Sequence, residues 1–274
     1  MFTLKSTSPT FRLPQSRDGR FCLFTNIKRI LMMGFLLLPH LLVADEVKVD
    51  HSAFDALLKK YVVDDRVDYQ KFLADKNALE LYLKQLDTID YKKLNNNEQL
   101  ALFINAYNAY TISLILDNYS DKLKSIKDLK SPWDTKFCRI GGEKFSLNDI
   151  ENKFLREQLK EPRIHFAINC ASISCPPLQK FAFQGDLIES QLMEVTKKFI
   201  NSPFGVKING QNLELSQIFN WFKKDFEKNG ISLVSFIYQY FNLETQKTLP
   251  DISKITISYQ EYQWNLNDVN KERK

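Results

Sequence analysis

The sequence predicts an α+β fold, a helix-rich single domain with a small antiparallel sheet. Apolar residues at helical spacing outnumber short alternating stretches along the 274-residue chain. The alternating stretches cluster as hairpins, about Gly141-Gly142 and about Asn209-Gly210. Helices and strands do not alternate regularly, which disfavours a doubly wound sheet.

Residues 1–44 read as a signal peptide or N-terminal anchor. Lys28 and Arg29 precede an apolar run from Ile30 to Val43, and Ala44 offers a small residue for cleavage. A membrane span needs about 20 apolar residues, more than this run holds. The expected localisation is therefore periplasmic or secreted, with membrane contact only through a retained leader. The chain carries 38 basic and 33 acidic residues, net +5. Lys5, Arg12, Arg17, Arg20, Lys28 and Arg29 stand against Asp18 alone in the leader, so residues 45–274 are neutral. That excludes an electrostatic case for a nucleic-acid partner. Residues 45–274 form the single predicted domain, and 21 Phe with 11 Tyr supply an ample core.

In SAFDALLKKYV, Phe54, Leu57, Leu58 and Tyr61 make a helical stripe behind a Ser52 cap. Val67 and Tyr69 suggest a short extended piece before a helix around 70–86. Asn95 followed by Glu98 resembles a capping box opening a helix that is apolar nearly all round, and so central. Its polar exceptions, Asn105 and Asn108, lie one turn apart and either satisfy neighbouring backbone or line a site. After the Gly141-Gly142 hairpin, Ser146 caps a helix on which Leu147, Ile150, Glu151 and Phe154 share a face. Glu151 thus projects into apolar surroundings and needs a donor or cation, with Arg163 or His165 suitable. RIHFAINC (163–170) reads as a strand, with Ile164, Phe166, Ile168 and Cys170 toward the core and Arg163, His165, Ala167 and Asn169 opposite. Cys175, before Pro176-Pro177, is placed to cap a helix, where the dipole favours a thiolate. Downstream, GDLIESQLMEVTKKFINSP, LSQIFNWFKKDFEK and SLVSFIYQYF read as helices, and KITISYQEYQW as extended.

Past the leader only Cys138, Cys170 and Cys175 remain, an odd number, so at least one thiol is free or pairs with another molecule. Only His51 and His165 remain as imidazoles. Cysteine catalysis needs a thiolate, a base and a group that orients the base. His165 near Cys175, with Glu151 or Asn169 as orienter and Asn105 or Asn108 donating to an oxyanion, meets that need. A buried His–Glu pair with a packing or disulfide cysteine fits the same residues. No metal site is predicted, because the strand reading sets His165 and Cys170 on opposite faces. CASISC lacks the CxxC redox spacing, Gly141-Gly142 lacks a phosphate loop's setting, and no GxSxG occurs. No cofactor is expected.

The ordered set FINAYNAY (103–110), FSLNDIENKFLR (145–156), RIHFAINCASISCPPL (163–178) and YQWNLND (262–268) resembles the family catalogued as domain of unknown function 547, DUF547, with a core at about 90–205. The resemblance implies a papain- and transglutaminase-like fold and a cysteine/histidine centre acting on an amide, thioester or thiol-peptide bond. Matching positions are Asn105, Glu151, Arg163, His165, Asn169 and Cys175. Many relatives carry His after the motif glutamate, where this chain has Asn152. Three functions are carried forward. The first is an exported thiol-dependent hydrolase or transferase for cell-wall peptides or small thiol peptides such as glutathione. In it Cys175, His165 and Glu151 are catalytic, and Asn105, Asn108, Arg163 and Asn169 bind substrate. The second is a non-catalytic module holding a peptide or small ligand in the same cleft. The third is a structural Cys170–Cys175 disulfide.

Overall fold

The computed structural model describes residues 47–271, which lie in the unit Asp45–Lys274. The predicted leader, 1–44, lies outside the described residues. Helix α1 (Ser52–Tyr61) buries the predicted stripe Phe54, Leu57, Leu58 and Tyr61. Asp50, rather than Ser52, accepts the first free amide, that of Ser52 at 2.8 Å. A hairpin, β1 (Val62–Val63) and β2 (Arg66–Val67), leads to α2 (Tyr69–Phe72) and α3 (Lys76–Asp87).

Helix α4 (Asn96–Asp117) is the axis of the molecule. The Asn95 side chain accepts the Glu98 amide at 2.9 Å. Glu98 does not close the capping box; its carboxylate accepts the Val49 amide at 3.1 Å, tying the start of the domain to the helix. Replacing Asn95 with Ala should cost about 1 kcal/mol, seen as a melting-temperature drop of about 2–4 °C in a domain of this size. An unchanged melting temperature would remove the cap from the account. By length and composition α4 could cross a membrane, but it is buried within the fold, packed by α2, α3 and the elements that follow. An all-round apolar helix needs such wrapping.

Strands β3 (Cys138–Ile140) and β4 (Glu143–Phe145) form the predicted hairpin. Both of its turn glycines adopt positive φ, and a Cβ on Gly141 would stand 2.7 Å from the Ile89 carbonyl. The next helix, Asp149–Gln158, is a π-helix, closed by Leu159 N–H to Phe154 O at 2.8 Å. After it come a 3₁₀ turn (Pro162–Phe166), α5 (Ile188–Ile200), β5 (Val206–Asn209) and β6 (Asn212–Leu215). The segment expected as one helix breaks at Phe222 into α6 (Gln217–Trp221) and α7 (Lys223–Phe226). Helices α8 (Leu233–Tyr238) and α9 (Leu243–Thr248) precede β7 (Thr256–Tyr259). The fold is α+β, helix-rich with small antiparallel sheets. One departs from expectation: β7 adds to β6 in parallel, making a mixed sheet β5-β6-β7.

The strand expected at 163–170 is not one. Pro162 starts a 3₁₀ turn capped by the Glu161 side chain, and Ile164, His165 and Phe166 are all buried. The alternating composition carried the strand reading. Competing bonds decide otherwise: Arg163 is held by Glu161 and Glu189, and α4 takes the backbone at Ala167 and Asn169.

Candidate functional site

The site begins at Ser146 and Asp149, whose side chains and amides cap each other reciprocally at 3.0 Å. The wide π-helical turn that follows places Ile150, Glu151, Phe154 and Leu155 together on the buried side. π-turns of this kind recur at functional sites. Burial pushes the Glu151 carboxyl up to about 7, against the pull of Arg156 and of the neighbouring Tyr107 hydroxyl of α4.

His165 is 2% exposed. Its ring stacks on Phe222, centroids 3.9 Å apart, and meets the edge of Phe226. Nε2 lies 2.8 Å from Asp225 Oδ2, and Nδ1 lies 4.0 Å from Glu151 Oε1. Burial pushes the imidazole down to about 4, so the neutral ring donates Nε2–H to Asp225 and turns an unprotonated Nδ1 toward Glu151. Burial opposes ionisation of Asp225, but bonds from His165 and Arg156 outweigh it and hold the carboxyl well below its ordinary range. Arg156 Nε reaches the same oxygen at 2.6 Å, and its guanidinium also bonds Asn152 and lies over the Phe222 ring.

Cys170 and Cys175 are joined in a disulfide. The loop between them is knotted by Asn169, whose side chain donates to Pro176 O at 2.8 Å and accepts from the Ala171 backbone amide and the Asn267 side chain. Ala171 holds φ 59°, the left-handed region. The C-terminal segment lies along the loop, with Ile173 N–H to Asn265 O at 2.9 Å and Asn267 N–H to Ala171 O at 3.1 Å. That docking delivers Tyr262, whose hydroxyl donates to Cys175 Sγ at 3.1 Å. The Cys170 amide donates to the same sulfur at 3.0 Å.

Glu151, His165, Cys170 and Cys175 all line one cavity of about 250 Å³. Aromatic rings make much of its wall: Tyr107, Phe222, Tyr262 and all three tryptophans of the chain, Trp133, Trp221 and Trp264. Trp221 stacks on Trp264 at 5.7 Å and remains 46% exposed. Asn148 and Asn152 add polar edges. Among the described residues no group of three or more His, Cys, Asp or Glu is arranged to hold a metal ion.

The structure thus gathers Glu151, His165 and Cys175, and the expected Glu151–His165 proximity is present. Three expectations about their surroundings are corrected. His165 does not face outward from a strand; both ring nitrogens face carboxylates inside the fold. Cys175 has no free thiol, and no helix begins at Pro176 for it to cap. Cys170, expected in the core, is the more exposed of the two sulfur residues. The other four candidates do not line the cavity. Asn105 bonds both backbone groups of Phe183 at 2.8 and 2.9 Å, and Asn108 spans Ala167 and Asn169. Asn169 ties the cysteine loop, and Arg163 pairs with acids at the 3₁₀ turn. Sequence reading did not single out Asp225, Tyr107, Tyr262 or the tryptophans. A signal existed for the last: three scarce, bulky rings, two of them, Trp133 and Trp264, outside any helix.

A family profile described as protein of unknown function DUF547 matches residues 91–200. It covers Tyr107, Trp133, Glu151, His165 and both bonded cysteines, while Trp221, Phe222, Asp225, Tyr262 and Trp264 come from beyond it. No curated protein and no solved structure matches the chain.

Proposed function

This chain belongs to the DUF547 family, and from that premise we propose that the cavity binds a small ligand or peptide side chain having a planar apolar group and a polar end. One observation carries the reading: every tryptophan of the chain converges on this cavity, with Trp221 half open to solvent. Rings offer broad faces at little entropic cost, and a few polar groups at the base orient what they hold. Glu151, Asn148 and Asn152 are those groups. Binding rather than turnover is favoured because two of the three catalytic candidates are engaged, Cys175 with Cys170 and His165 with Asp225. The proposal includes export. The basic-then-apolar leader supports it, and a disulfide suits an oxidising compartment.

Tryptophan emission reports on this cavity directly. Titration with N-acetyl amino-acid amides and with glutathione should give a saturable change with at least one aromatic amide, at a Kd of about 1 mM or tighter. Trp221→Ala should weaken it at least about tenfold, the scale of losing a ring contact of ~1.4 kcal/mol. Emission that stays flat with every probe would sink the reading.

The hydrolase or transferase reading keeps one specific support, the two donors aimed at Cys175 Sγ. Donors so placed stabilise a thiolate once the disulfide is opened, with His165 as base and Glu151 orienting it. Its test is amide or thioester turnover by the reduced protein, lost in Cys175→Ala. Equal inactivity of both proteins leaves binding alone.

A further inference from the structure

We infer that Cys170–Cys175 is a working disulfide, one that exchanges with low-molecular-weight thiols entering the ring-lined cavity, with Cys170 attacked and Cys175 released. The inference goes beyond ligand binding and does not require it.

Four observations carry it. Both cysteines line the cavity, so a small thiol that enters meets the bond directly. The two differ in access: Cys170 is partly exposed, whereas Cys175 is 6% exposed. Thiolates attack the reachable sulfur and expel the other. The expelled sulfur has the closer donors, the Cys170 amide at 3.0 Å and the Tyr262 hydroxyl at 3.1 Å; Cys170 Sγ has the Ser172 and Tyr262 hydroxyls at 3.3 and 3.4 Å and no backbone amide. Ser172 Oγ, 2.9 Å from the Tyr262 oxygen, completes a relay, and burial keeps the phenol protonated. Sulfur in a disulfide is a weak acceptor, so two donors on it count most when it becomes a thiolate. Finally, the bond adds little as a staple. It spans only five positions, and a short loop restricts the unfolded chain least. Asn169, Asn108 and the 263–267 segment already pin that loop.

The chemistry balances with an external thiol as reductant. A thiolate RS⁻ attacks Cys170 Sγ; the S–S bond breaks and its electron pair leaves on Cys175 Sγ. The products are a mixed disulfide on Cys170 and a Cys175 thiolate. A second RS⁻ attacks the RS sulfur of that adduct, giving RSSR and a Cys170 thiolate. Two electrons reduce the protein disulfide, and protonation from water completes the dithiol. Cys138, the free cysteine among the described residues, is fully buried, and burial raises its thiol well above the usual range. It does not compete.

The test uses the full chain without ligand. Dithiothreitol at pH 7, quenched with iodoacetamide and mapped by peptide mass, should reduce the native bond at least about tenfold faster than the same bond in urea-unfolded chain. Tyr262→Phe should slow the native rate at least about threefold and leave the unfolded rate unchanged. Oxidised glutathione added to Cys175→Ser should leave a glutathione adduct on Cys170. A native bond reduced no faster than the unfolded one overturns the inference, as does an unaffected Tyr262→Phe rate. Absence of the Cys170 adduct overturns the choice of attacked sulfur. Should Tyr262→Phe fail to fold, the native-to-unfolded ratio of the unaltered chain decides alone. Exchange rates and ligand titrations are separate readouts, so either can fail with the other intact.

Discussion

Replacing Asp225 with Ala should lower folding stability by about 3 kcal/mol, the low end for removing one partner of a buried ion pair. Its Oδ2 serves two donors, His165 Nε2 at 2.8 Å and Arg156 Nε at 2.6 Å. Without it the buried His165 N–H loses its acceptor, and an orphaned buried donor costs about 1–3 kcal/mol. Arg156, about a quarter exposed along its side chain, recovers part of its loss from water. Asp225→Asn keeps one acceptor and should cost roughly half as much. Urea denaturation of the two variants checks the order. Equal midpoints for Asp225→Ala and the unaltered chain would mean that the His165–Asp225–Arg156 arrangement contributes nothing to the fold.

Acidification should produce the second large effect. Burial holds His51 and His165 at about 4 in the fold against an ordinary 6.5. Between those values the unfolded chain binds more protons at each, so stability rises with pH across that window. His51 is bonded through Nδ1 to Tyr82 at 2.7 Å, and its Nε2 has no partner, so burial outweighs the attraction of Asp50 for its charged form. Glu151 works in the opposite sense. Its folded value of about 7 against 4.5 means the fold holds the extra proton, and stability falls as pH rises from 4.5 to 7. Two histidines against one glutamate leave a net of one proton between 4.5 and 6.5, about 1.4 kcal/mol per pH unit. Stability should therefore climb by about 3 kcal/mol over that span and peak near pH 6.5. His51→Gln should flatten the climb, and Glu151→Gln should steepen it and abolish the decline toward 7. A denaturation midpoint that does not move between pH 4.5 and 6.5 would refute the balance of these three groups.

Much of the frame was legible because its determinants are local. The Asn95 cap, the α1 stripe and the α5 periodicity depend on residues within a turn or two of each other. The Gly141-Gly142 turn and the turn at Gly210, which falls one residue later than expected because Asn209 pairs with Asn212 in the sheet, use backbone conformations that few other residues adopt. Glu151 was legible as an acid seeking a partner because its own helix face exposes the mismatch.

The site divides differently. Residues Ser146 to Cys175 could be picked out as unusual by type, but their roles depended on atoms distant in sequence. Asp225 meets His165 across 60 positions, and Tyr262 meets Cys175 across 87. Arg163–Asn169 could follow its alternating composition into a strand; a proline start and the Asn108 side chain of α4 drew it into a 3₁₀ turn instead. The same turn buried His165 and left Cys175 beside Cys170. Sequence alone thus determined the capped and strongly periodic elements and which residues are chemically out of place, since propensity, capping and periodicity act within a few residues. Tertiary structure decided which of those residues meet, because an imidazole or a sulfur takes its chemistry from whichever donor, acceptor or ring the fold brings within about 3–4 Å.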